Sequence, residues 1–180
     1  MSSVIISGDT SGAITLSAPA VAGTNTITLP ASTGTVALNG PAFYAFLNAT
    51  QSISSATFTK VAFNTKTSPG YDTASCFDTT NNRFTPNVAG YYFLTCQLAN
   101  GSNASRTIMT FYKNGAQYIA GPDLSYSNPN NNMASCMVYA NGTTDYFEIY
   151  TYMVNAGGAS VYGAANGQNS LFQGVLLRSA

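Results

Sequence analysis

The stretch Phe77 to Leu94, FDTTNNRFTPNVAGYYFL, decides how the chain is read. Phe77 and Phe84 bracket the turn-rich segment DTTNNR, and Pro86 and Gly90 interrupt the backbone before the aromatic-apolar run Tyr91-Tyr92-Phe93-Leu94. Short apolar runs bounded by Asn, Asp, Pro and Gly are strands joined by turns. The stretch therefore predicts strand, turn, strand, corner and then a long strand reaching about Ala99.

Working outward, Ala42 to Asn48 and Thr57 to Phe63 are expected to be strands, with Ser68-Pro69-Gly70 in a loop. Arg106 to Lys113 alternates and ends at Asn114-Gly115, the strongest short hairpin signal. Gly121 to Asn132 reads as a long polar loop. Met133 to Ala140 and Asp145 to Val154 are expected to pair as a hairpin across Asn141-Gly142, and Asn169 to Arg178 to close the sheet.

The spacing of Asp72, Phe77, Phe84, Gly90 and Tyr92 resembles the signature of the C1q-like domain, the jelly roll shared with the tumour necrosis factor superfamily. Further matches follow in order: Val61-Ala62-Phe63-Asn64, Asn114-Gly115 after Phe111-Tyr112-Lys113, Asp145-Tyr146-Phe147, and the terminal S-x-F-x-G-x-L-L of Ser170 to Leu177. The resemblance covers residues 41 to 180. It implies an all-β, C1q/TNF-like jelly-roll β-sandwich, and a homotrimer.

Residues 1 to 40 differ in kind. They hold one ionisable side chain, Asp9, and no aromatic. Three brief β-prone triplets recur, around Ile14 and Leu16, Ile27 and Leu29, and Val36 and Leu38. Such triplets bury too little surface to form a domain and need a pairing partner. We expect an extended N-terminal β-arm whose Ile14, Leu16, Ile27, Leu29, Val36 and Leu38 anchor it. From Ser11 to Val36 the arm resembles a segment recurrent in bacteriophage fibre and virion structural proteins, which implies a virion surface location.

Charged residues make up 7% of the chain against roughly 25% in an average soluble domain. Six basic and six acidic residues cancel, and the basic ones are scattered, so there is no footprint for nucleic acid. No run reaches the roughly 18 apolar residues of a membrane span, and the N-terminus lacks the basic n-region of a signal peptide. With no histidine, the histidine-based triads, metal ligands and general bases are excluded. No catalytic residue and no cofactor are expected, and the chain is read as not an enzyme. Calcium stays open through Asp72, Asp78 or Asp123, since some C1q-like domains bind it; the competing reading is that these aspartates cap turns. Cys76, Cys96 and Cys136 are either small apolar strand side chains or, for Cys76 and Cys96, a bridge.

On Asp145 to Met153, alternation places Phe147, Ile149, Thr151 and Met153 on one face and Tyr146, Glu148, Tyr150 and Tyr152 on the other. Tyrosines on an outer face point to a partner, so Tyr146, Tyr150 and Tyr152 are the expected trimer interface. The expectation is a phage structural protein, a homotrimeric capsid decoration, cement or head-fibre protein, contacting itself and other virion proteins such as the major capsid protein or tail components. The alternative is a receptor-binding tail-fibre tip recognising a host surface glycan through Tyr126, Asn128, Asn130, Asn131 and Asn132. A secreted cellular recognition protein is disfavoured, because the chain has neither Gly-X-Y repeats nor heptads.

Overall fold

The computed structural model describes residues 3–7, 10–17, 40–101, 104–125, 130–155 and 158–180. Internal contacts divide the chain into two units, Met1–Val36 and Ala37–Ala180. In the first, β1 (Ser3–Ser7) and β2 (Ala13–Ser17) form an antiparallel hairpin. Its register sets Leu16 against Val4 and Ile6 against Ile14. Strand β1 was not foreseen, because Gly8 and Asp9 break the apolar run that follows it. Ile27, Leu29, Val36 and Leu38 lie outside the described residues.

The second unit is all β among its described residues. Its strands are β3 (Ala42–Phe46), β4 (Gln51–Ile53), β5 (Thr59–Lys60), β6 (Tyr71–Asp72), β7 (Phe77–Asp78), β8 (Arg83–Phe84), β9 (Gly90–Asn100), β10 (Arg106–Lys113), β11 (Ala116–Leu124), β12 (Asn130–Ala140), β13 (Phe147–Val154), β14 (Ala159–Val161) and β15 (Leu171–Ser179). One sheet runs β11-β10-β13-β8-β7 with β5 on β13. The other runs β4-β14-β9-β15-β3-β6 with β12 on β9. The two sheets share one core.

The deciding stretch folds as read. Phe77 and Phe84 are cross-strand partners, and Asn82, at φ 52°, supplies the left-handed residue of the turn between them. Asn114 (φ 54°) and Gly115 (φ 80°) close the β10-β11 hairpin with both central residues at positive φ.

Two expectations fail. β12 pairs along its whole length with β9 and not with β13, because the turn after Ala140 carries the chain from one sheet to the other. The described part of the segment 121–132 is largely strand: β11 continues to Leu124, and β12 begins at Asn130 in register with Asn100.

The terminal motif explains the core. Phe172 is fully buried and meets Phe43 at 5.0 Å, Phe63 at 6.0 Å, Phe77 at 6.1 Å and Phe111 at 6.3 Å between ring centroids. Ser170 Oγ donates to Tyr162 O (2.7 Å) and accepts from Ala99 N (3.0 Å), so two backbone groups are satisfied by one buried hydroxyl. At Gly174 a Cβ would stand 2.5 Å from Leu94 Cδ2 and 2.8 Å from Phe43 Cε1, so glycine is required by close approach. Phe172→Ala should lower unfolding free energy by about 3 to 5 kcal/mol, the usual cost of deleting a buried ring, in a urea titration.

Candidate functional site

The outward faces of the two sheets are chemically different. On β9, alternation buries Tyr92, Leu94 and Cys96 and turns out Tyr91 (49% exposed) and Phe93. On β12 it buries Val138 and Ala140 and turns out Met133, Met137 (67%) and Tyr139. On β15 it buries Phe172 and turns out Val175 and Leu177. Register joins them into one patch: Phe93 lies opposite both Met137 and Val175, and Tyr91 opposite Tyr139, their rings 5.6 Å apart. Tyr71 on β6 extends the patch, and a shallow depression of about 230 Å³ runs between Tyr71, Phe93, Thr95, Gln173 and Val175. The strands of this sheet carry only Asp72 and Arg178 as charged residues.

The six-stranded sheet holds the predicted tyrosines on its outer face, and there they lean on their own chain. Tyr150 stacks on Tyr112 at 3.9 Å, Tyr152 sits 5.2 Å from Phe58, and the Arg83 guanidinium lies 4.5 Å above Tyr146. All three are half-buried. Burial first, and then the neighbouring Glu148 carboxylate, push the Tyr150 phenol above its usual pKa. A larger, open, uncharged surface lies on the opposite sheet. The signal was present in the sequence: Met133, Met137 and Tyr139 alternate with Ala134, Val138 and Ala140, which makes both faces of β12 apolar.

Of the residues expected to touch a receptor, Tyr126 and Asn128 lie outside the described residues. Asn131 is exposed on β12. Asn132 is 1% exposed and donates from Nδ2 to Thr107 Oγ1 (2.9 Å), so it belongs to the interior and not to a recognition loop. Its strand position opposite Leu98 turns it inward.

The aspartates considered for calcium are separate, and each is occupied by donors. Asp72 accepts from Lys66 Nζ (2.7 Å), Cys76 N (2.9 Å) and Phe77 N (3.0 Å). Asp78 caps the turn through Thr80 N and Asn81 N, and Asp123 takes both forks of Arg106. Among the described residues no three metal-ligating side chains cluster. The cysteines are free thiols: Cys96 is buried on β9, and the Cys76 thiol points to Asp72 Oδ1 (3.4 Å). Burial, with the Asp72 charge adding to it, pushes Cys76 up to about 12. The Cys76–Cys96 bridge is therefore not formed.

No family model and no curated sequence matches the chain. Solved structures do. The chain is similar to the Eiger TNF of S. frugiperda, with TM-score 0.60 and 13% identity over 79% of this chain and 96% of that one. It is similar to the globular domain of zebrafish complement 1qA protein, with TM-score 0.59 and 17% identity over 78% and 99%. The domain has the C1q/TNF-like jelly-roll fold. The chain is also similar to murine APRIL, with TM-score 0.53 and 10% identity over 76% and 98%. In this jelly roll, Asp72 from the resemblance motif is a structural residue, a buried carboxylate stitching Lys66 to the start of β7.

Burial alone would raise the Asp72 carboxyl, but Lys66 and the two backbone N–H groups outweigh it and hold the pKa below its usual value. A depressed folded pKa stabilises above the unfolded value of about 3.9, and this contribution is lost as pH falls through the folded value. Asp72→Asn should cost about 2 to 3 kcal/mol near neutrality and should flatten the fall in Tm below about pH 4, measured by calorimetry across pH.

Proposed function

We propose that this chain is a homotrimeric structural protein of a bacteriophage virion surface, a decoration or head-fibre protein held by its N-terminal segment, with the jelly roll as the projecting module. The observation that carries self-association is the uncharged patch of Tyr91, Phe93, Met133, Met137, Tyr139, Val175 and Leu177. Soluble monomers rarely leave so many large apolar side chains contiguous and open. Cores of subunit interfaces are enriched in Tyr, Phe and Met and depleted of charge, which is the composition of this face. Three subunits, closed around a cyclic axis, is what the sequence resemblance implies.

Anchoring rests on the N-terminal hairpin and on its sequence resemblance to virion proteins. Ile5, Ile6 and Leu16 are 63%, 55% and 57% exposed. A two-stranded hairpin is marginal in water alone, and its unpaired edges template further strands. A trimer presents three such hairpins at high effective concentration, so contacts that are weak singly hold together.

Light scattering of the full chain should give three subunits of 18.8 kDa. Met137→Glu and Phe93→Glu should each give a folded monomer. A wild-type monomer at micromolar concentration would sink the assembly reading. Removal of residues 1–36 should leave the assembly intact and abolish incorporation into particles. Immunogold labelling separates the head from the tail location of the receptor-binding alternative.

A further inference from the structure

We infer that the outer face of the six-stranded sheet is a binding platform for neutral carbohydrate. Four half-buried aromatic rings cluster on it. Phe58 lies 5.2 Å from Tyr152 and 6.4 Å from Tyr112, and Tyr112 stacks on Tyr150 at 3.9 Å. The hydroxyls of Tyr44 and Tyr92 donate to Gly167 O and Val88 O within the chain. Those of Tyr112, Tyr150 and Tyr152 have no partner among the described residues, so their hydrogen-bonding capacity is open to a ligand.

Two ion pairs flank the rings. Arg106 grips Asp123 through two bonds of 2.9 and 2.6 Å, and the Arg106 guanidinium lies 5.8 Å from the Tyr152 ring. Lys60 bonds Glu148 at 3.0 Å, and Lys60 stands in register with Tyr150. Each pair offers fixed donors and acceptors without net charge. Side chains at the Arg106–Asp123 pair are 47% and 49% exposed, so those groups are reachable.

A pyranose has an apolar C–H face and a rim of hydroxyls that both donate and accept. The C–H face suits the outer surface of the ring cluster, and the rim suits the ion pairs and phenols beside it. An anionic polymer would meet the carboxylates of Asp123 and Glu148 beside Arg106 and Lys60. An apolar protein surface would have to desolvate both ion pairs without replacing their water. The strands hold these groups rigidly, so little ordering cost opposes binding. The inference stands on this face alone and does not depend on trimer formation or virion location.

The experiment is affinity electrophoresis and calorimetry of the full chain with dextran, mannan and galactomannan, and with heparin as the anionic comparison. At least one neutral polymer should bind. Tyr152→Ala and Arg106→Ala should each weaken that binding tenfold or more, and Tyr162→Ala, an exposed ring elsewhere, should leave it unchanged. Thermal melts check folding, and if Tyr152→Ala does not fold, the half-exposed Arg106 carries the comparison. Binding to none of the neutral polymers, binding to heparin only, or neutral-polymer binding indifferent to Arg106→Ala would each overturn the inference.

Discussion

The aromatic cluster around Phe172 is the constraint on which the sandwich depends. Phe172 comes from the C-terminal strand, Phe43 from the first strand of the domain, Phe77 from the short hairpin and Phe111 from β10 of the facing sheet. One side chain therefore ties both sheets and both ends of the domain. Phe43 also stacks on Phe84 at 4.3 Å, so the hairpin of the deciding stretch is clamped to the same centre. The absence of a side chain at Gly174 lets Leu94 and Phe43 reach that centre. Nearly every one of these contacts is distant in sequence. Such a core rewards the chain only after its last strand arrives, which places the domain among slow, high-contact-order folders.

The same alternation that builds the core produces two opposite exteriors. β13 buries Phe147, Ile149, Thr151 and Met153, and its outward Glu148 and Tyr152 meet Lys60 and Phe58, which leave Tyr150 and Tyr152 partly exposed. β12 buries Asn132, Val138 and Ala140, and nothing in the described domain covers Met133, Met137 or Tyr139. A chain with so few charges cannot solvate both faces alike. It spends most of its charged side chains on the six-stranded sheet and leaves only Asp72 and Arg178 on the strands of the other. An uncharged face suits permanent burial, and a face with paired charges suits a ligand that comes and goes in water.

What was legible in the sequence was local. The hairpin at Phe77 to Phe84, the Asn114-Gly115 turn, the inward set of β13 and the Ser170-x-Phe172-x-Gly174 motif all follow from residue order and periods of two. The choice of partner strand was not legible. β12 and β13 are neighbours in sequence with a good turn between them, yet they lie in different sheets, and only the long-range register with β9 decides that. The error at Asn132 has the same origin: Asn130 to Asn132 look like loop because they are polar, but the β9 ladder extends over them and Thr107 Oγ1 accepts from the buried Asn132 Nδ2. The tyrosine content of β13 is visible in sequence, whereas its contacts with Phe58 and Lys60 are visible only in three dimensions.

The ion pairs complete this division. Lys60, Lys66, Arg106 and Lys113 each hold a carboxylate at 2.6 to 3.0 Å, so most of the charge in the domain is spent within itself. Paired charges a few ångströms apart leave little field beyond a Debye length of about 8 Å in physiological salt. Association of such a molecule is governed by contact and not by electrostatic steering, and its rate is nearly independent of ionic strength. Recognition then has to come from shape, ring faces and fixed hydrogen-bonding groups, and those are the features on which the two sheets differ.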